Sequence, residues 1–418
     1  MKLAATVLFA GLLSACAPTV ECVHGDFLRA ECRVQAENEF AHFQSSDGVE
    51  IRFQEAESTE HAGWESLGLI ENGFGGLRLR PAGLGDFAIS FDAVDLGLDS
   101  IEITLDNVAF DMVLTREVGP NITVISDPNT TPATSLRRQV SLQLDNSDLT
   151  WLRAKRPACP TRYRLAAMGD IQTNPLQFRR ILDHMKQAES EADTPLLGLI
   201  LLGDLSESSD ENEMRWIDEL MRGSKVPVSV TTGNHDVYAS DMGLFNRIFG
   251  PGNYNYSVCG ATVALFDTGN AGLADSVRGR MGELLQHKQH EDGSQDQYLL
   301  AAMHYPMHVG HTAGGWTEDL HRFELSVEAV RKGLDLALAG HVHYWHHFPD
   351  VPVGDGSFNQ VISGTAGGHQ GDGGPQQFGY TRINIDTSAN GTLDYCFVQV
   401  AEPGNVNPTK LDSIPYCE

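Results

Sequence analysis

Five short runs of this 418-residue chain carry side chains able to bind a metal ion, and each follows an apolar stretch. They are Gly169-Asp170-Ile171-Gln172, Gly203-Asp204, Gly233-Asn234-His235-Asp236, His304, and Gly340-His341-Val342-His343. Carboxylate, imidazole and amide oxygen together suit borderline-to-hard divalent cations such as Mn²⁺, Fe²⁺ or Zn²⁺. Glycines in four of the five runs let the backbone turn tightly, so that the next side chain can point inward. One aspartate after a strand is more often a helix cap or turn residue. Such residues at five strand ends make a site.

The elements that must position them are legible around them. Arg164–Met168, Leu196–Leu202, Val226–Val230, Tyr298–Met303 and Leu334–Ala339 read as strands alternating with helical patterns, the rhythm of an α/β layer. Sheets of that kind gather ligands outside the carboxyl ends of their strands. Asn174-Pro175 predicts the cap and first residue of a helix with the apolar face Phe178, Ile181, Leu182 and Met185. A second helix would carry Met214, Ile217, Leu220 and Met221. A third would bury Leu320, Phe323, Val327 and Val330 and stop at Gly333. Before this region the period changes to two, at Val49–Phe53, Phe87–Phe91, Ile101–Leu105 and Val140–Leu144, which predicts an all-β, sandwich-like domain. Arg153–Thr161, with two prolines, reads as a linker. The expected organisation is a signal at 1–15, a β-rich accessory domain at 16–155, an α/β domain at 160–400 and a tail at 401–418.

The five motifs, with Phe249-Gly250-Pro251-Gly252 and Gly364-Thr365-Ala366-Gly367-Gly368, resemble those of the calcineurin-like metallophosphoesterases. That superfamily includes purple acid phosphatases and cyclic-nucleotide phosphodiesterases, and the resemblance spans about 164 to 385. It implies a layered α/β domain with a mixed β-sheet core and a phosphoesterase activity on phosphate ester or diphosphate bonds. It also implies two divalent metal ions (Mn, Fe or Zn) that hold a nucleophilic hydroxide. By the same resemblance Asp170, Gln172, Asp204 and His343 hold one metal. Asp204 bridges to the second, held also by Asn234, His304 and His341. His235 is then the proton donor to the leaving group, with Asp236 its orienting partner. Two positions depart from the common pattern. Gln172 stands where most members have histidine, a variant similar to that of some nucleotide-diphosphate hydrolases. Glu207 stands where purple acid phosphatases place a tyrosine, so no tyrosinate-iron chromophore is expected.

Composition narrows the partners. With 56 acidic against 29 basic residues the formal charge is −27. Duplex nucleic acids are bound largely through Lys and Arg, so such a partner is not expected. An anionic substrate, a phosphorylated small molecule or nucleotide, would need a local positive charge such as bound metal. The alternative function is a non-catalytic surface lipoprotein that binds glycan or protein through its β domain. Intact ligand positions weigh against it, since a retired site would lose several.

The N-terminus reads as an address. Met1-Lys2 leads into the apolar run Leu3–Leu13, and Leu13-Ser14-Ala15-Cys16 resembles a bacterial lipobox. This implies cleavage before Cys16, lipid on its sulfur, and a lipid-anchored protein of the bacterial cell envelope, periplasmic or surface-exposed. The other six of the seven cysteines would then sit in an oxidising compartment, with 15 possible pairings. Cys22 with Cys32 and Cys396 with Cys417 are the nearest in sequence. Mass spectrometry of the mature N-terminus should find diacylated Cys16, and an unmodified residue other than Cys16 would contradict the anchor.

Overall fold

The structure is a computed structural model that describes residues 30–54, 67–73, 76–125, 136–189, 194–238, 243–290, 292–310, 315–369, 377–402, 410–411 and 414–417. The signal run and Cys16 lie outside the described residues. Helix α1 (Ala30–Ala41) leads into ten strands: β1 (His42–Gln44), β2 (Glu50–Gln54), β3 (Leu67–Gly73), β4 (Gly76–Pro81), β5 (Phe87–Asp92), β6 (Ser100–Leu105), β7 (Val113–Val118), β8 (Asn121–Val124), β9 (Arg138–Gln143) and β10 (Thr150–Lys155). They make a six-stranded sheet, β1-β2-β5-β10-β7-β8, and a four-stranded one, β3-β4-β6-β9. Phe53, Ile89 and Phe91 from the first sheet share one buried cluster with Leu79, Ile103 and Leu142 from the second. This is the sandwich the alternation predicts.

The α/β region follows with β11 (Arg162–Met168), α2 (Pro175–Ala188), β12 (Leu196–Leu202), α3 (Glu211–Ser224), β13 (Val228–Thr231), α4 (Gly243–Phe249), β14 (Tyr254–Val258), β15 (Ala261–Phe266), α5 (Asp275–Leu284), β16 (Tyr298–Met303), α6 (Asp319–Lys332), β17 (Leu336–Ala339), β18 (Trp345–Val353), β19 (Gly356–Ser363), β20 (Gly379–Asp386) and β21 (Leu393–Gln399). Its strands form two mixed sheets, β13-β12-β11-β20-β21 and β14-β15-β16-β17-β19-β18. Leu165, Ile200 and Leu202 of the first meet Val263, Leu300 and Leu338 of the second in a central core. The outer face of the first sheet packs on α2 and α3 through Phe178, Ile181, Met214 and Ile217. The outer face of the second packs on α5 and α6 through Val277, Leu325 and Ala329. The result is four layers, helix, sheet, sheet, helix.

Local signals hold at both ends of the predicted helices. The Asn174 side chain accepts from Gln177 N–H, with Pro175 in the first turn. Gly333, at φ 75°, ends α6 and donates its N–H to the Ala329 and Val330 carbonyls. The face expected of α6 is different. Leu320, Phe323 and Val327 are 59 %, 55 % and 41 % exposed. The helix instead lays Leu325, Ser326 and Ala329 on the sheet, where short side chains let it approach closely.

The predicted linker is a pinned connector. Central strand β10 runs to Lys155, and β11 starts at Arg162. Between them Arg156 ion-pairs with Asp111 (2.6 Å), and Cys159 is disulfide-bonded to Cys259 across the two regions. A second disulfide joins Cys396 to Cys417, the near-sequence pair, and ties the tail to β21. Cys32 is also disulfide-bonded.

Buried polar contacts fuse the sandwich to the α/β region. Arg80 donates to the Phe249 and Val228 carbonyls, both at 2.7 Å. The Asn107 amide donates to the Val228 carbonyl (2.9 Å) and accepts its N–H (2.7 Å), so a side chain completes one end of β13. Helix α1 precedes the sandwich and buries two ionisable residues against the α/β region. Arg33 pairs with Asp267 (2.6 Å), and Glu37 accepts from Gly252 N–H (2.7 Å) and the Asn253 amide (3.2 Å).

Burial, and then the Asp267 charge, push the Glu37 carboxyl from 4.5 up to about 8, against the pull of Gly252, Asn253 and Arg33. A raised carboxyl takes up a proton on folding between those two values, so its favourable contribution is present below 4.5 and lost as pH rises through about 8. Denaturant titrations of the metal-free protein across that range should show stability falling with pH, and Glu37→Gln should flatten the fall. An unchanged slope in the variant would contradict it.

Candidate metal centre

The motif residues meet at one end of the two inner sheets. Asp170 and Gln172 follow β11, Asp204 follows β12, and Asn234, His235 and Asp236 follow β13. His304 follows β16, and His341 and His343 follow β17. Two groups of ligand atoms lie within 4.8 Å of one another: Asp204, His304 and His341, and Asp170, Asp204 and His343. Asp204 belongs to both.

Placing these side chains strains the chain. Asp170, Gln172, Asp204 and His341 have φ of 63°, 32°, 53° and 67°, a region that L-residues rarely occupy. Such strain collects where surrounding structure enforces a functional geometry. Tight approach is part of it: a Cβ at Gly340 would stand 2.7 Å from Asp170 Oδ2. The second motif glycine-rich run passes alongside, with Ala366 N–H donating to the Gly169 carbonyl (2.9 Å).

The hydrogen bonds behind the imidazoles assign their protons. His304 Nδ1 donates to the Leu202 carbonyl (2.8 Å) and His343 Nδ1 to the His369 carbonyl (2.8 Å). A carbonyl only accepts, so in each neutral ring Nε2 carries the lone pair. His304 Nε2 faces Asn234 Oδ1 at 3.0 Å and Asp204 Oδ2 at 3.2 Å. His343 Nε2 faces Asp170 Oδ1 at 3.3 Å, and that oxygen is buried without a hydrogen-bond partner. Acceptors thus point at acceptors. Only a cation, or a proton in its place, reconciles them. Burial lowers both histidines, yet Asp204 outweighs it at His304 and Asp170 at His343, raising each to about 9. Burial and then His304 push His341 down to about 4. The donor set fits divalent metal.

The other predicted residues divide. Gln172 is in the cluster, with its amide nitrogen donating to Asp204 Oδ2 at 2.6 Å. The Asn234 amide donates to the Tyr238 hydroxyl (3.0 Å), which turns its oxygen toward His304 and His341. His235 donates its backbone N–H to Asp204 Oδ1 (2.8 Å), and its ring Nδ1 donates to the Glu207 carbonyl (2.7 Å). Asp236, expected to orient that ring, does not. Its carboxyl is buried and accepts from Leu205, Ser206 and Gly233 N–H groups, which locks the two ligand loops together. Burial and then Asp204 raise it to about 7. Glu207, read only as a departure from a family pattern, supplies the ring's partner instead.

Sequence reasoning missed Tyr238, Thr268 and the carbonyls of Leu202, Glu207 and His369. Backbone acceptors carry no residue signature, and Tyr238 differs from any surface tyrosine only by its place four residues after Asn234. His308 and His346 ring Phe348 at 4.8 and 4.4 Å, and neither belongs to the two ligand groups. His311 lies outside the described residues.

Comparison with known proteins agrees with this geometry. The model of the calcineurin-like phosphoesterase family matches residues 163–345, from β11 through the last two histidines. Residues 163–345 are a calcineurin-like phosphoesterase domain. A domain of this family supports a hydrolase acting on phosphoric ester bonds, and the family implies a dinuclear divalent metal site. No curated protein matches the sequence. Among solved structures, purple acid phosphatase PPD1 from yellow lupin (Lupinus luteus) seeds is 12 % identical, with 76 % of this chain and 70 % of that one covered at a TM-score of 0.47. GAP50, the anchor in the inner membrane complex of Plasmodium, is 13 % identical over 62 % and 90 %, at 0.44. A dimetal phosphatase from Danio rerio is 9 % identical over 56 % and 95 %, at 0.40. Likeness at this level carries no substrate or partner across.

Proposed function

We propose that this metallophosphoesterase hydrolyses a phosphate ester or diphosphate bond of a phosphorylated small molecule or nucleotide, with two divalent ions shared across Asp204. The carrying observation is the convergence of His304, His343, Asn234, Asp170 and Asp204, whose ring nitrogens and side-chain oxygens face one another at 3.0–3.3 Å. One ion would take Asp170, His343 and Gln172, and the other Asn234, His304 and His341. Gln172 would hold its ion through the amide oxygen, an orientation related to the one seen by an end-for-end exchange of oxygen and nitrogen. When bound, such a pair supplies Lewis acidity, an activated water and charge neutralisation for in-line displacement at phosphorus.

The chain's own residues do the rest. Carbonyls at Leu202 and His369 fix two imidazole tautomers, the outer hydrogen bonds that metal-binding histidines need. Backbone N–H of His235 holds one oxygen of Asp204 and leaves the other for the ions. The His235 ring, with Nδ1–H held by Glu207, takes a second proton at Nε2 and is the general acid for the leaving oxygen. Disulfides Cys159–Cys259 and Cys396–Cys417 are of the kind that persists outside the cytosol, which supports export to the envelope.

Wild type and His235→Asn are assayed with Mn²⁺ on p-nitrophenyl phosphate, an alkyl phosphate, bis-p-nitrophenyl phosphate and a nucleoside diphosphate ester. Wild type should turn over at least one class, and EDTA should stop it. Loss of a general acid should cost roughly 10²–10⁴-fold on alkyl leaving groups and far less on p-nitrophenol, which leaves without a proton. An equal loss on both would remove His235 from that role. No hydrolysis of any class would overturn the reading.

A further inference from the structure

Helix α1 lies outside the matched family region, yet it buries a charge behind the site. Arg33 is 2 % exposed at its side chain. Its Nε donates to Asp267 Oδ2 (2.6 Å), and its Nη2 donates to Asp267 Oδ1 (2.9 Å) and Asn270 Oδ1 (3.1 Å). A guanidinium fork of this kind fixes both the position and the plane of a carboxylate. Burial would raise the Asp267 carboxyl, but Arg33 holds it below the ordinary range. One side chain thus clamps both ends of the turn from Asp267 to Asn270.

That turn touches the site at two places. Thr268 Oγ1 accepts the backbone N–H of His304 (3.1 Å) and of Tyr305 (3.0 Å). Asp267 Oδ1 also accepts Gly269 N–H (2.9 Å), and Gly269 sits so close that a Cβ there would lie 2.9 Å from the Gly233 carbonyl. Gly233 begins the loop that carries Asn234. His304 and Asn234 belong to the same proposed ion. The other group does not contact this turn: Asp170 accepts from His341 N–H (2.9 Å) and His343 donates to the His369 carbonyl (2.8 Å).

We propose that Arg33 is a positioning residue for one of the two metal ions. Through the Asp267–Asn270 turn it sets His304 and the Asn234 loop, so the N-terminal helix is a working part of the phosphoesterase site. The inference rests on the two-metal reading above, and its test separates the two.

The full-length, metal-stripped protein is titrated with Mn²⁺ in a calorimeter, as wild type, Arg33→Met, Arg33→Lys and Glu31→Gln. Arg33→Met should weaken one of two binding steps about tenfold or more, the scale of an outer-shell loss, and leave the other within about twofold. Arg33→Lys keeps the charge but not the fork and should fall between. Should the Met variant fail to fold, the Lys variant carries the comparison. Glu31→Gln, which alters the bonds from Ser276 to α1 and leaves the Arg33 fork in place, should titrate as wild type. Equal weakening of both steps, or of neither, in the folded Arg33 variants would overturn the positioning role. Fewer than two steps in wild type would overturn the two-metal reading, and this inference with it.

Discussion

Lone pairs aimed at one another around Asp204 are the constraint on which the rest of this structure depends. His304 and His343 give their only neutral protons to backbone carbonyls and present bare nitrogens to carboxylate and amide oxygens. A cation, or a proton in its place, reconciles that arrangement. The fold enforces it, with left-handed backbone at Asp170, Gln172, Asp204 and His341. Each such residue costs of order 1–3 kcal/mol. Two parallel-stranded cores, packed on both faces, supply the rigidity that keeps the residues there.

The N-terminal region shares that burden. Asn107 completes the backbone pairing at Val228, Arg80 caps carbonyls at Phe249 and Val228, and α1 grips the turn at Asp267. Asn107 and Arg80 hold the start of β13, the strand whose far end leads to Asn234, and α1 grips a turn that bonds the backbone of His304. The cost is three buried polar clusters. Within one of them Glu37, with Asp267 and Arg33 close by, is held neutral by burial well into the neutral pH range.

The metal side chains were legible because chemistry and position coincide: Asp, His and Asn at strand ends, with glycines to turn the chain. Strands with strong apolar runs, Leu196–Leu202 and Tyr298–Met303, were legible to the residue. The apolar stripe of α6 misled, because periodicity reports which residues share a face and not which face the sheet takes. The polar links between regions were not legible. Arg33 pairs with a residue 234 positions away, and Asn107 with one 121 positions away. Cys159 finds Cys259 rather than a sequence neighbour. Asp236 looked like a ring partner from its adjacency to His235, but the loop turns it inward to three backbone N–H groups. Long-range pairing of single polar residues leaves no period to read.

The central claim is that the converging acceptors hold two cations with Asp204 between them. Anomalous diffraction from crystals of the Mn²⁺-loaded protein measures this directly. Two peaks roughly 3.5–4 Å apart are expected, both in bonding contact with Asp204 and one of them with His304. A single peak, or Mn²⁺ bound away from Asp204, would contradict it.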